Sequence, residues 1–183
     1  MSKATRALGL AAGLGAAAYA ARALSRRHPV GNPSVPEPRK PVDIDRYLGK
    51  WFEIARYEQA FEKGCMASTA EYRRLPDGGI KVINTCRKPD LQPRVVTGKA
   101  RVVDSETNAK LKVSFLGPLF TGDYWVLDHC DDYEWAIVGE PSGRFLWLLS
   151  RKQVLPWERA EALYDRAEAL GYDTGLLVRT VQP

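Results

Sequence analysis

Cysteine, histidine and methionine are scarce in this sequence of 183 residues, which has three cysteines, two histidines and two methionines. Cys65, Cys86 and Cys130 allow at most one internal disulfide bond and lack the paired spacing of a zinc site. His28 and His129 add no cluster of ligands to them. The sequence therefore predicts no metal site and no cofactor.

Motifs that mark common catalytic sites are also missing. The sequence has no phosphate-binding glycine loop, no Gly-x-Ser-x-Gly turn and no His-Glu-x-x-His pair. Gly78 and Gly79 are explained by turn chemistry, and Asp131, Asp132 and Glu134 by a solvated turn rather than a catalytic carboxylate pair. We therefore expect no catalytic residue and interpret the protein as one that binds rather than as an enzyme.

Positive charge is concentrated near the N-terminus. The net charge is +5, but residues 1–40 hold seven Lys and Arg against one acidic residue, whereas residues 41–183 hold 20 basic and 21 acidic residues. The C-terminal part thus offers no charge-based case for a nucleic-acid partner. The basic, apolar N-terminus suits an anionic membrane surface.

The chain divides into three segments by composition. Residues 1–24 begin with Lys3 and Arg6 and continue through a run rich in alanine, glycine and leucine, which predicts either a cleaved signal peptide or a retained N-terminal membrane anchor. A cytosolic amphipathic start is a third reading. Residues 25–41 carry five prolines, which favours an extended linker that packs no core. The remaining residues, 42–183, are the predicted folded domain.

The folded domain begins with a short helical turn capped by Asp43 and continues as a series of short strands. Turn residues separate eight strand candidates, at about 51–58, 67–75, 79–87, 94–104, 109–117, 122–130, 133–140 and 144–152. Short strands at this spacing predict an all-β fold, either an antiparallel sandwich or an up-and-down barrel. A barrel of eight strands can hold one small ligand.

The hydrophobic period changes near the C-terminus. Apolar residues from Trp157 to Leu170 recur at helical spacing, and Gly171 follows them, which predicts one amphipathic helix over 157–170. We expect its apolar face to lie on the outside of the sheet. Residues 176–180 predict a last short strand.

Three separate motifs resemble those of the lipocalins. Gly49 and Trp51 open the first strand, Asp123 and Tyr124 form an Asp-Tyr pair, and Arg151 lies near the end of the eighth strand candidate. The resemblance implies an eight-stranded antiparallel up-and-down β-barrel with one C-terminal helix packed outside. It also implies that the arginine packs over the tryptophan at the closed end, a cation–π contact of about 0.5–2 kcal/mol with a structural role.

Further runs, at 45–51, 61–64, 112–118 and 146–151, look like those of the bacterial outer-membrane lipocalins. That branch implies a carrier of fatty acids or lysophospholipids, facing the periplasm, that stores or transports lipid for membrane maintenance and can form homodimers. This sequence lacks the lipid-modified cysteine of those proteins, since no cysteine precedes Cys65. Residues 1–24 would then provide the membrane attachment.

Strand alternation supplies candidates for the cavity wall but does not decide which set of side chains faces inward. We predict that aromatic and apolar side chains line the cup and that an amide or a tyrosine hydroxyl provides a polar contact. The candidates are Tyr57, Tyr72, Val82, Asn84, Phe115, Trp125 and Trp147.

The cysteines leave several functions open. Cys65 precedes the second strand and Cys86 ends the third, so in an oxidising periplasm we predict a disulfide between them, which requires the preceding loop to fold back, and a free Cys130. An enzyme acting on a lipophilic substrate through Cys65, as in lipocalin isomerases, is one alternative to the carrier. Another alternative is a purely structural envelope protein whose barrel is packed shut. A tetrapyrrole carrier is weaker, because His129 is the only histidine in the folded part.

Overall fold

The computed structural model of the chain describes residues 29–60, 62–88, 92–115, 117 and 121–182. The predicted signal or anchor at 1–24 therefore lies outside the described residues. In the described part, no helix has both the length and the apolar character that a membrane span requires.

The elements are α1 Ile44–Tyr47, β1 Gly49–Tyr57, β2 Met66–Arg74, β3 Ile80–Arg87, β4 Pro93–Val102, β5 Lys110–Ser114, β6 Thr121–His129, β7 Trp135–Gly139, β8 Leu146–Ser150, α2 Trp157–Ala169, a 3₁₀ turn Thr174–Leu176 and β9 Leu177–Arg179.

The strands form one antiparallel sheet that closes on itself. β2 to β8 pair in chain order, β8 pairs with β1, and β1 pairs with β2 over Gly49–Phe52. This confirms the predicted eight-stranded up-and-down barrel with a C-terminal helix outside it.

The direction of the strands gives the barrel two different ends. The end where β1 begins is sealed by α1, which Asp43 caps by accepting bonds from the backbone N–H groups of Asp45 and Arg46. We call this the closed end. Because each strand reverses the chain, the loops after β1, β3, β5 and β7 all lie at the opposite end, which we call the mouth.

The C-terminal segment completes the wall between β1 and β2 on the mouth side. β9 pairs with the second half of β1, beginning with Ala55 opposite Arg179. Beyond it, Thr180 donates its N–H to the carbonyl of Ile54, and Val181 accepts from Ala67 of β2. These bonds satisfy backbone groups where the two strands no longer pair directly.

Alternating side chains divide the apolar residues into two cores. The inner core lies inside the barrel and contains Val42, Tyr47, Trp51, Tyr72, Ile80, Val82, Ala100, Ala109, Leu111, Val113, Val126, Tyr133, Ala136, Val138 and Leu149. The outer core lies between the barrel wall and α2 and contains Ile54, Ala55, Tyr57, Leu127, Ile137, Leu146, Leu148, Leu163, Ala167 and Tyr172. Burial of α2 against the wall explains why its stripe is apolar.

The predicted helix is present almost to the residue. Ala160, Leu163 and Ala167 are its buried face, and Gly171 follows it with a φ of +90°. Arg166 also forms an ion pair with the buried carboxylate of Asp128 on β6. The helix is therefore held to the barrel by both apolar and charged contacts.

The proline-rich segment is not the unpacked linker that we predicted. Gly31 and Asn32 both donate backbone N–H groups to the carbonyl of Gly143 at the mouth, and Asn32 donates its side-chain amide to Leu170. At the closed end the segment is fixed by Lys40, which donates to the carbonyl of His129. The described part of the predicted linker, from residue 29, therefore belongs to the folded domain. Proline has no backbone N–H to donate, but this does not prevent the packing, because the bonds that hold the segment come from Gly31, Asn32 and Lys40.

A disulfide joins Cys65 to Cys86, with 5.4 Å between their Cα atoms. A register shift between Met66 and Thr69, where Ala67 has a φ of 51°, carries the chain back toward β3. This confirms both the predicted bond and the predicted free thiol of Cys130.

Candidate ligand-binding site

The closed end of the cup is sealed by the predicted contact between Trp51 and Arg151. The guanidinium carbon of Arg151 lies 3.8 Å from the centre of the Trp51 ring, and the indole N–H donates to the carbonyl of Tyr47 at 2.8 Å. Arg151 also donates to the carbonyls of Arg46, Tyr47, Leu48 and Lys50. These carbonyls surround the end of α1, where helical carbonyls lack partners within the helix. Arg151 thus ties α1 to the barrel.

Gly49 permits this close approach. Its φ is +96°, and a Cβ built there would lie 3.3 Å from Nη1 of Arg151. A left-handed backbone next to a packed guanidinium favours glycine over any other residue.

Three tyrosines form the polar floor above this seal. The hydroxyl of Tyr124 lies 2.7 Å from that of Tyr47 and 2.8 Å from that of Tyr72. Burial raises the pKa of all three phenols, that of Tyr72 to about 12. The three hydroxyls therefore stay protonated near neutral pH and offer donors and acceptors without charge. The neighbouring Asp123 faces outward and pairs with Lys112 at 2.6 Å.

The inner wall contains most of the predicted cavity residues. Tyr72 and Val82 belong to the inner core, and Trp147 packs against it. Asn84 pairs with Ala70 in the same register, so its side chain also points inward, and its Oδ1 is buried without a hydrogen-bond partner among the described residues. An unpaired buried carbonyl oxygen is a candidate contact for a ligand donor.

Tyr57 and Trp125 do not line the cup, contrary to our prediction. Both belong to the outer cluster, where the Tyr57 hydroxyl donates to the carbonyl of Asp173 and Lys110 lies 5.0 Å from the Trp125 ring centre. A bulge between Glu53 and Ala55 reverses the alternation of β1, which turns Tyr57 outward although Trp51 points inward. On β6, Tyr124 takes the inner position, so Trp125 must face out.

Inward-facing side chains near the mouth remain accessible to solvent. Val96 pairs with Asn84 and shares its inward direction, yet it is 51% exposed. Phe115 is 37% exposed, and its ring lies against the inner side of Gly98, where a Cβ would come within 2.7 Å of it. An inner side chain is exposed only where the barrel opens to solvent. The cup is therefore open beside β4 and β5.

Residues 42–182 match the family described as a Lipocalin-like domain. The chain belongs to the lipocalin family. It is similar to outer membrane lipoprotein Blc of Vibrio cholerae, with 38% identity over 153 residues, 81% of this chain and 89% of that protein. It is also similar to temperature-induced lipocalin-1 of Arabidopsis thaliana, with 37% identity over 151 residues, 78% of this chain and 81% of that protein.

Solved structures agree on the fold of this lipocalin. Insecticyanin from the tobacco hornworm Manduca sexta superposes with a TM-score of 0.67 at 20% identity, covering 85% of this chain and 88% of that chain. Such a barrel is a concave apolar site of the kind that takes one small hydrophobic ligand.

Near the mouth the lipocalin contains a buried ion pair that the sequence analysis missed. Arg56 is 2% exposed and donates from Nη1 to Glu53 at 2.6 Å and to the hydroxyl of Thr180 at 3.1 Å. The same guanidinium donates from Nη2 to the carbonyls of Glu62 and Cys65. Arg56 thereby joins β1, the C-terminal segment and the loop at the mouth.

The β1 bulge also explains why this pair was missed. Glu53 and Arg56 are three residues apart, so simple alternation would place them on opposite faces of the strand. Because Ile54 and Ala55 both join the outer core, Glu53 and Arg56 both point inward, opposite Leu149 and Trp147. The only signal in the sequence was the presence of Glu53 and Arg56 on either side of two apolar residues.

Glu62 extends from the loop after β1 into the same region. Its carboxylate accepts from the indole N–H of Trp147, at 3.4 Å to Oε1 and 3.3 Å to Oε2. Loss of hydration, and then the like charge of Glu53, raise the pKa of Glu62 to about 8, although Arg56 and Trp147 oppose the shift. Burial therefore favours the neutral form of Glu62 in the folded state.

Proposed function

We propose that this lipocalin carries a lipid with a single acyl chain, a fatty acid or a lysophospholipid, in the bacterial cell envelope. The observation that carries the proposal is the apolar inner wall that reaches solvent through Val96 and Phe115 at the mouth. Similarity to Blc, named as an outer membrane lipoprotein in Vibrio cholerae and Citrobacter freundii, supports the envelope as its location. The carrier would store or transport lipid for membrane maintenance.

The size of the hydrophobic effect suits an acyl chain. Burying twelve methylenes at about 0.8 kcal/mol each gives about 10 kcal/mol. Association costs roughly 4 kcal/mol or more, which leaves about 6 kcal/mol, a dissociation constant of tens of micromolar. Such an affinity allows the cargo to be released.

The alternatives have less support. The isomerase alternative needed a free thiol at Cys65, whose sulfur is bonded to Cys86. A tetrapyrrole carrier would need an axial ligand, but both ring nitrogens of His129 face backbone carbonyls, those of Cys130 and Pro41. A barrel packed shut would not leave inward side chains as exposed as Val96.

Membrane attachment and self-association complete the proposal. Residues 1–24, with a basic start and a run rich in alanine, glycine and leucine, would attach the protein to the membrane, with the domain facing the periplasm. Homodimer formation is part of the same proposal. Size-exclusion chromatography with light scattering would give the mass of the assembly.

A titration with a fluorescent fatty-acid analogue tests lipid binding. We expect saturable binding by the full chain, displaced by both lauric acid and a lysophospholipid with the same chain. Replacing Val82 on the inner wall by Asp should abolish binding, whereas the same change at the exposed outer Val103 should not. Absence of saturable binding by the folded wild-type protein would refute the carrier function.

A further inference from the structure

Two N–H groups inside the mouth converge on one carboxylate. The indole Nε1 of Trp147 lies 3.3 Å from Oε2 of Glu62, and Nε of Arg56 lies 3.8 Å from the same oxygen. Trp147 and Arg56 are opposite each other on β8 and β1, so the wall of the barrel holds both donors. Glu62 comes from the loop after β1 and not from a strand of the barrel wall.

Arg56 is not fully satisfied by this arrangement. Its two terminal nitrogens donate to Glu53, Thr180 and two backbone carbonyls, but Nε is buried and donates no hydrogen bond within the described part of the chain. The distance of 3.8 Å from Nε to Oε2 of Glu62 is too long for a hydrogen bond. A buried N–H without a partner destabilises the structure, and an oxygen placed closer would relieve this cost.

Glu62 is also a poor occupant of the position between these donors. Its contacts there are long, at 3.4 and 3.3 Å to the indole N–H of Trp147 and 3.8 Å to Nε of Arg56. If the side chain moves out into water, it regains hydration and its ordinary acidity. A ligand therefore has to displace only a weakly held group.

We propose that Trp147 Nε1 and Arg56 Nε form a subsite for the carboxylate of a fatty acid, and that Glu62 fills this subsite until the ligand displaces it. The inference rests on the proposed carrier function, because it assumes that the acyl chain lies in the cup below. The occupant resembles the ligand, since a glutamate side chain ends in the same carboxylate as a fatty acid. The disulfide at Cys65 holds the end of the loop in place, so the side chain of Glu62 can leave without loss of the loop's attachment to β3.

Paired ligands that differ only in their head group test this subsite. Lauric acid and dodecanol bury the same chain, so the ratio of their dissociation constants isolates the carboxylate. Trp147→Phe removes one donor and should weaken lauric acid binding about tenfold, since a hydrogen bond to a charged group is lost, while dodecanol changes less than about twofold. Glu62→Ala removes the competitor and should tighten lauric acid binding by about threefold or more, again with little effect on dodecanol.

Matched controls separate the subsite from general changes in the loop or in tryptophan content. Glu58→Ala removes an exposed carboxylate from the same loop, and Trp157→Phe removes an indole that is 60% exposed on α2. Neither substitution should alter the ratio of the dissociation constants of lauric acid and dodecanol. The indole N–H resonance of Trp147 provides a second readout. In the wild-type protein this resonance should shift with lauric acid but not with dodecanol. Because this readout needs no substitution, it does not depend on whether Glu62→Ala perturbs the loop.

The outcomes distinguish the subsite from the carrier function. If both ligands bind wild type and every variant with an unchanged ratio, the cup binds acyl chains but the carboxylate subsite does not exist. If a lysophospholipid with the same chain, and not lauric acid, depends on Trp147 and Glu62, the subsite takes a phosphate and the carboxylate assignment is wrong. If no acyl ligand binds wild type, the carrier function fails and the subsite with it.

Discussion

Arg151 stacks on Trp51 and at the same time donates to four backbone carbonyls at the end of α1. The two residues come from opposite ends of the barrel sequence, on β1 and just after β8. Their contact therefore closes the barrel floor and also fixes the first strand against the last strand of the barrel.

Replacing Arg151 by Met should lower the free energy of unfolding by about 2–4 kcal/mol, because the carbonyls at the end of α1 lose their donor and the cation–π contact is lost. Arg151→Lys should recover little of this loss, since one ammonium cannot reach carbonyls spread around a planar guanidinium. Urea denaturation followed by tryptophan fluorescence measures the change. The exposed Arg159→Met on α2 is the control and should cost less than about 1 kcal/mol. Equal effects at the two positions would contradict the sealing role.

Glu62 should make stability depend on pH. Its pKa is about 8 in the folded state against about 4.5 in an unfolded chain, so between these values the folded protein binds more protons. The free energy of unfolding should then decrease as pH rises from about 5 to about 8 and become level above that. Glu62→Gln should flatten this part of the profile, whereas Glu58→Gln should leave it unchanged. A wild-type profile that rises through this range, with no difference in Glu62→Gln, would show that Glu62 is not held in its neutral form.

The disulfide should stabilise the barrel mainly by restricting the unfolded chain. Cys65 and Cys86 are 21 residues apart, and closing a loop of that length contributes about 3 kcal/mol in the chain-entropy description. The double substitution Cys65→Ser and Cys86→Ser should lower stability by about this amount and should make stability insensitive to a reducing agent. Cys130→Ser, which alters only the free thiol, should retain the sensitivity to reductant. A wild-type protein equally stable with and without reductant would rule out this contribution.

The packed proline-rich segment should contribute to the stability of the domain. Asn32 is buried, donates to the carbonyl of Leu170 and accepts from the N–H of Ser34, so Asn32→Ala should cost about 1–2 kcal/mol. Ser34→Ala, at an exposed position whose side chain is not needed for that bond, should cost less than about 0.5 kcal/mol. A chain that starts at residue 42 should be less stable than one that starts at residue 29. If the two have the same melting temperature, the segment is a linker after all.

Local patterns were sufficient for the elements of the fold. Alternating apolar residues between turn residues placed the eight barrel strands within a few positions, and the helical period placed α2 within one residue of Trp157–Ala169. The resemblance of three motifs, at Gly49 and Trp51, at Asp123 and Tyr124, and at Arg151, to those of the lipocalins implied the architecture and the contact at the closed end. Periodicity, turn residues and motifs can each be recognised within one short segment of the sequence.

Bulges explain most of what the patterns missed. Sequence alternation assumes an unbroken strand, so one extra residue at Glu53–Ala55 reversed the inward and outward positions for the rest of β1. That single irregularity turned Tyr57 outward and brought Glu53 and Arg56 together inside. Whether a strand tolerates a bulge depends on its neighbours, and the neighbours of β1 are β8, β2 and the C-terminal segment.

Periodicity and turn residues predicted the strands and the external helix, and the resemblance of the three motifs implied the lipocalin barrel, because each of these signals lies within a short segment. The arrangement in space was needed to show which aromatic residues line the inside of the barrel, that the proline-rich segment packs against it, and that Glu62 lies between Trp147 and Arg56. These contacts join segments far apart in the chain, and their free energy depends on distances and burial that exist only after the barrel has closed.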